Sequence, residues 1–156
     1  MITCTFEDGH AARLRHVVVH AIVERVGALL LVRRAPHLSE GGRWGLPGGF
    51  LDRDERLVDG VLRELREETG WTGEVRRLFR INSRPDRPRE DRQNVAVEFV
   101  IEPLAQVGTP DSESTAVEWI PIERLPALDS LAFDHGETVR LYLAARDRPD
   151  RAPILE

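Results

Sequence analysis

The sequence has no lysine: all 22 of its basic side chains are arginine. A G+C-rich coding sequence produces such a bias, so arginine at any one position carries less weight here than elsewhere. Cysteine is nearly absent. The single Cys4 excludes an internal disulfide and a cysteine-rich zinc site. No apolar run reaches membrane length; those near residues 17–23 and 28–32 fall well short of the ~20 residues a spanning helix needs. Glu7 and Asp8 stand where a signal peptide would be apolar, so a cytoplasmic, reduced chain is expected. Excess positive charge is also missing. A net charge of −5 and a pI near 5.6 argue against a nucleic-acid binder with a basic surface, and suit a protein that holds divalent cations through carboxylates.

The chain does have the composition of a folded domain. At 156 residues, with 41% hydrophobic and 31% charged side chains, it is long enough for a sheet with covering helices. No internal repeat or linker divides it, so residues 1–156 read as one domain, with residues 1–12 and 148–156 as peripheral tails. Residues 16–24 and 28–34 are β-branched and apolar and read as strands joined by a turn at Val26 and Gly27. Residues 37–43 read as a loop, and 44–50, with Pro47 and paired glycines, as a sheet edge turning into a loop. From about Asp54 to Thr69 the pattern turns helical, with Leu57, Val58, Val61, Leu62 and Leu65 on one stripe and Gly70 as the stop. Strands are expected at 74–82 and 94–102 and a short one at 117–120, then helices at 122–128 and 136–146. This order predicts an α/β (α+β) fold, a mixed sheet sandwiched between helices.

The helix also carries chemistry. At ~100° per residue, with Glu64 at zero, Glu68 lies near ~40° and Glu67 near ~300°, so three carboxylates share an arc about 100° wide. Leu65, Val61, Val58 and Leu62 fall at roughly 60–160°, beside that arc. The helix can then bury its apolar stripe and hold its acidic stripe along the rim of the core. Carboxylates at this density repel one another unless a cation joins them, and hard oxygen ligands suit Mg²⁺ or Mn²⁺. A solvated acidic face balanced by Arg63 and Arg66 is the plainer reading of the helix alone. Gly48, Gly49, Glu55 and Gly70 flank this helix, and their offsets tip the balance to a metal site through the resemblance they carry.

Gly49, Glu55, Arg63, Glu64, Leu65, Glu67, Glu68, Gly70 and Trp71 together resemble the Nudix box, Gly-x5-Glu-x7-Arg-Glu-U-x-Glu-Glu-x-Gly-U, where U is bulky and apolar. Trp71 departs from the usual aliphatic residue at the last position. The resemblance implies the Nudix fold and a Mg²⁺-dependent pyrophosphatase, with Mn²⁺ able to substitute. It implies that Glu64, Glu67 and Glu68 ligate metal, that the Gly49 carbonyl joins them, and that Glu64 or Glu67 also deprotonates the attacking water. Glu55 and Arg63 would form an ion pair that orients the carboxylates. A further metal-ligating carboxylate, before a late strand, is assigned to Glu113, with Glu118 as the weaker choice.

The substrate is less sharply written. By resemblance it is a small-molecule nucleoside diphosphate derivative, ADP-ribose or a related nucleotide sugar. A (d)NTP pyrophosphatase is the alternative, and a non-catalytic nucleotide-sensing module a third reading. Arg33 and Arg34 end a strand that enters the site, and one of them is expected to contact phosphate. Arg84 is a third candidate, in a loop (83–92) with four arginines that also reads as simply solvated. His135 could touch substrate or merely follow Asp134 at a helix start. Trp44, Trp71 and Trp119 read as structural. Neither a membrane nor a nucleic acid is expected as partner; a homodimer is expected by analogy.

Overall fold

The computed structural model describes residues 2–87, 94–148 and 150–156. Its strands and helices are, in chain order, β1 (Ile2–Thr5), β2 (Ala11–Leu14), β3 (Val17–Arg25), β4 (Ala28–Arg34), β5 (Trp44–Gly45), β6 (Gly48–Phe50), α1 (Leu57–Thr69), β7 (Trp71–Asn82), β8 (Val95–Gln106), β9 (Ser114–Pro121), α2 (His135–Ala145) and β10 (Ile154–Leu155). Short 3-10 turns at Ile122–Arg124 and Leu128–Ser130 lie between β9 and α2. No helix among the described residues is long and apolar enough to cross a membrane.

The main sheet runs β10-β7-β8-β3-β4-β5, with β6 also on β3 and β9 also on β4. It is mixed: β3 and β8 are parallel, as are β7 and β10, and the remaining pairs are antiparallel. β3 and β4 pair only beside their turn, at Glu24–Leu29 and Arg25–Ala28. Beyond that they part. β5 takes the open edge of β4 and β6 takes that of β3, so the segment from Trp44 to Phe50 bridges the gap. The β1–β2 hairpin forms a sheet of its own.

Strand alternation divides the core in two. Val19, Ala21 and Val23 of β3, Leu30 of β4 and Val97, Phe99 and Ile101 of β8 pack with Val61 and Leu65 of α1. Ile22, Leu29 and Leu31 face the other way, packing with Leu131, Val139 and Tyr142. The expected sandwich of a mixed sheet between helices is therefore what forms. The tryptophans are packed within it. Trp71 and Trp119 meet edge to face at 5.3 Å with the Arg25 guanidinium over both rings, and Trp44 lies against the α2-side core.

Several boundaries differ from the sequence reading, each for a physical reason. α1 begins at Leu57 rather than Asp54 because Glu55 is engaged elsewhere: its carboxylate accepts from Asp52 N–H and from Arg63, and Arg56 stays extended. β8 runs past Glu102 to Gln106, and Pro103 is tolerated opposite Gly73, beside an irregularity in the β7–β8 register. The helix expected at 122–128 is only two 3-10 turns. Pro126 supplies no N–H and holds the preceding Leu125 extended, with φ −55° and ψ 142°. β10 pairs with Arg80 and Ile81 of β7, and the Glu156 backbone exchanges hydrogen bonds with Ile81 and Ser83.

Candidate active site

Gly48 and Gly49 sit where β6 closes on β3, opposite His20 and Val19. A side chain on either would collide. A Cβ on Gly49 would stand 2.6–2.7 Å from the Glu64 carboxylate; one on Gly48 would stand 2.1 Å from the Val19 carbonyl oxygen and 2.7 Å from the His20 ring. The glycine pair is thus a thin ridge with Glu64 on one side and His20 on the other. A cleft of about 730 Å³ runs over it. One end is lined by Asp52, Arg63, Glu64, Glu67, Asp111 and Glu113, the other by His20, Arg34, Arg87, Asn94, Phe133 and His135.

At the acidic end the organising group is Arg63. Its Nε and Nη2 donate to the two oxygens of Glu55 at 2.9 and 3.0 Å, and Nη2 also reaches the Phe50 carbonyl at 3.0 Å. Its Nη1 stands between Glu64 Oε1 and Glu67 Oε2, 2.9 Å from each. The bidentate arginine holds Glu55 below the usual carboxylate range, and these carboxylates raise the arginine further. Among the described residues no three carboxylate or imidazole side chains converge closely enough to hold a metal as they stand. A guanidinium nitrogen occupies the point between two of them.

Glu68 differs from its neighbours in being 4% exposed. The buried residues of α1 are Gly60, Val61, Leu65, Glu68 and Thr69. With Glu64 at zero they span an arc from roughly 320° through about 140°, and Glu68 falls near its middle. The carboxylate therefore lies within the covered face rather than on its rim. Burial pushes its pKa up to about 8, although Gly48 N–H donates to Oε2 at 2.8 Å. Burial also raises Glu64. Val58, expected on the buried stripe, is 42% exposed.

The loop before β9 is tied to the end of α1: Asp111 N–H donates to the Glu67 carbonyl at 2.9 Å, and Glu113 N–H donates to Asp111 Oδ1 at 2.9 Å. Both side chains line the cleft, and the charge of Glu113 adds to the upward pressure on Glu64. Glu118 lies on β9 opposite Leu31, exposed and away from the cleft.

The other end is built from α2 and the segment before it. Asp134 accepts from Arg87 Nη2 and Nε and from Asn82 Nδ2, each at 2.8 Å, and Arg87 also bonds Asn94. This arginine holds Asp134 down at about 2 against the opposing effect of burial. His20 and His135 meet edge to face at 4.5 Å, and burial lowers both, His135 to about 4. Phe133 has φ +51°, a left-handed conformation that is rare for an aromatic residue, and Arg34 lies over its ring at 5.0 Å.

Of the arginines read as substrate contacts, Arg34 lines the cleft. Arg33 is exposed and bonds the Gly42 carbonyl, while Arg84 pairs with Asp86 and Glu137 outside the cleft. Arg89 and Arg92 of the same loop lie outside the described residues. His20 and Asn94 went unread in the sequence, and Arg87 was read only as one of the four arginines of the loop 83–92, yet its side chain is buried on Asp134. His20 carried a signal, a lone polar residue midway along an apolar strand; Asn94 had none.

A family model described as the NUDIX domain matches residues 13–142. The ADP-ribose pyrophosphatase of Methanocaldococcus jannaschii is 30% identical over 128 residues, 81% of this chain and 72% of that protein. Among solved structures, a NUDIX hydrolase from Nitrosomonas europaea matches with a TM-score of 0.79 at 26% identity, over 99% of this chain and 91% of that one. An ADP-ribose pyrophosphatase from Streptococcus suis matches with a TM-score of 0.75 at 25% identity, over 92% of this chain and all of the other.

Proposed function

The chain belongs to the NUDIX domain family, and from that premise we propose that it hydrolyses the diphosphate linkage of a nucleoside diphosphate sugar, with ADP-ribose as first choice. It is a pyrophosphatase, a hydrolase of acid anhydrides. The observation that carries the sugar reading is the asymmetry of the cleft. Carboxylates and Arg63 crowd one end, while an aromatic ring, two buried imidazoles held neutral, Arg34 and the paired Arg87 line the other. The names of two relatives, both ADP-ribose pyrophosphatases, point the same way.

The acidic end fits Mg²⁺ or Mn²⁺. Its donors are all oxygen, and Glu68 is buried at a cost that a nearby cation would relieve. Glu64, Glu67 and Glu68, the Gly49 carbonyl and Glu113 would hold the metal. When bound, such a metal neutralises diphosphate charge and acidifies the attacking water. Arg63, fixed by Glu55, orients Glu64 and Glu67 and must give up its place between them as the carboxylates turn to a cation. Either Glu64 or Glu67 takes the proton of the water. Arg34 contacts a phosphate oxygen.

The test is a substrate panel with Mg²⁺ and with Mn²⁺, products separated by chromatography. AMP and ribose 5-phosphate from ADP-ribose are expected; release of pyrophosphate from (d)NTPs, with no action on ADP-ribose, would move the assignment to triphosphates. In the same assay Glu67→Gln should lower turnover by orders of magnitude with unfolding unchanged. Near-parent turnover would sink the site.

A further inference from the structure

Resting on that reading of the cleft, we propose that the Phe50 ring is the platform on which the nucleobase of the substrate stacks. The register of β6 decides where this ring points. A Cβ on Gly48 would meet the His20 ring and one on Gly49 the Glu64 carboxylate, so successive residues of β6 look to opposite faces of the sheet. Phe50, two residues past Gly48, looks to the His20 face. Its cross-strand partner Val18 looks the same way, two residues before His20, and both residues line the cleft.

The ring is held in place yet half exposed. The His16 ring meets it at 4.9 Å with an interplanar angle of 63°. The Phe50 carbonyl accepts from Arg63 Nη2 at 3.0 Å, and Leu51 N–H donates to the Val17 carbonyl at 3.1 Å, so the backbone is pinned on the far side as well. Phe50 nevertheless keeps 47% of its surface exposed. Of the large apolar side chains exposed among the described residues, it alone lines the cleft. The other phenylalanine of the cleft, Phe133, already carries the Arg34 guanidinium over its ring.

The chemistry of this floor selects a flat group with an apolar face. The Val18 and Phe50 side chains offer no donor or acceptor, and phenylalanine lacks the polar tip of tyrosine or tryptophan. A sugar laid there would strand its hydroxyls over carbon. A base presents a π face and keeps its polar edge for other partners. The place fits too. Phe50 follows Gly49 directly, and the Arg63 that its carbonyl binds also bonds Glu64 and Glu67. A nucleotide with its phosphates over these carboxylates has its base one ribose away, across the glycine ridge from Glu64. A face contact of this kind tells a base-bearing diphosphate from a baseless one and says little about which base it is.

Phe50→Leu keeps an apolar side chain and removes the π face; Phe50→Trp restores a ring. Two substrates are compared, ADP-ribose and the diphosphate joining two ribose 5-phosphates, which has a second ribose in place of adenosine. The ratio of kcat/KM for ADP-ribose to that for the baseless diphosphate should fall about tenfold in Phe50→Leu, through KM rather than kcat. That lies in the lower part of the range for losing a stacking ring, because leucine retains some contact. In Phe50→Trp the ratio should stay at or above the parent value. A merely structural ring would lower both substrates together and leave the ratio alone, so a fall in the ratio of less than twofold overturns the proposal. A second measurement needs no turnover: AMP and ribose 5-phosphate are titrated separately into the parent chain with its phenylalanine rings labelled with ¹³C. The Phe50 signal is identified by its loss in Phe50→Leu. AMP should move it upfield and ribose 5-phosphate should not; a signal that ignores AMP, or moves equally with both, overturns the assignment. A parent chain that cleaves neither diphosphate defeats the functional reading alone, and the titration then decides this one.

Discussion

Asp134→Asn keeps the shape of the side chain and removes its charge, where charge matters most to the α2 side of the fold. The Asp134 and Arg87 side chains are 2% and 3% exposed, and the carboxylate accepts three hydrogen bonds of 2.8 Å. Asparagine can return at most one acceptor oxygen, and its amide meets donors on Arg87 and Asn82. The guanidinium is left buried and uncompensated, which costs about 3–5 kcal/mol. Against a total stability of roughly 5–15 kcal/mol this is a large fraction. For a chain of this size it should lower the melting midpoint by about 10 °C. Urea unfolding followed by circular dichroism at pH 7.5 measures it. The companion variant, Arg87→Met with Asp134→Leu, removes both charges and should recover most of the loss, because the cost comes from the orphaned cation rather than from the missing pair. A single variant within about 0.5 kcal/mol of the parent would refute this account of a buried pair, whose rupture should cost several times as much. So would a double variant less stable than the single one.

Two glycines give opposite outcomes. Gly49→Ala would push aside the Glu64 carboxylate, a flexible end, so activity should collapse while the urea midpoint moves little. Gly136→Ala would put its Cβ 1.8 Å from the Leu128 carbonyl oxygen, and soluble expression should suffer first. The reverse pattern would contradict the geometry. Stability against pH, measured in chelator, follows from four buried groups. His20 and His135 bind protons in the unfolded chain that the fold refuses, so their share of stability is lost as pH falls below 6.5, in the case of His135 down to about 4. Glu68 and Glu98, raised to about 8 and about 7, work oppositely: the fold keeps protons the unfolded chain has released, and stability is lost as pH rises from 4.5 through those values. The two effects offset each other between about pH 5 and 6.5. Above 6.5 the glutamates act alone, and stability should fall by about 1.4 kcal/mol per pH unit for each group still titrating. Stability that rises from pH 6.5 to 8 would be incompatible with these environments. Glu68→Gln, in the same chelated buffer, should flatten much of that descent, even though it abolishes turnover.

The parts of this molecule legible in sequence were those whose cause is local. The α1 stripe, its stop at Gly70 (φ +74°) and the alternation along β3 all follow from neighbours within a few residues. The offsets of Gly49, Glu55, Arg63, Glu64, Glu67 and Glu68 were legible through their resemblance to the Nudix box, and Arg63 meets Glu55, Glu64 and Glu67 as that spacing allows. Angular arithmetic could not say which part of the helix face the sheet would cover, so it put Glu68 at a rim when it lies in the buried arc. The opposite end of the cleft depends on partners far apart in the chain. Arg87 meets Asp134 across 47 positions, and Leu46 meets His135 across 89. Neither side of such a pair announces the other. The β1–β2 hairpin and the seating of β10 on β7 likewise depend on a surface that exists only once the rest has folded.

The separate packing of α1 and α2 on opposite faces of one sheet has an evolutionary consequence. The carboxylates proposed to act on the diphosphate stand on α1, which packs on one core, while Phe133, Asp134 and His135 lead into α2, which packs on the other. Substitutions at sites more than about 7–10 Å apart with no shared partners tend to add. Under the proposed division of roles, a lineage can drift in what it recognises through the α2 side without first dismantling the machinery of bond cleavage. The fold is built for retaining a reaction while changing its clientele.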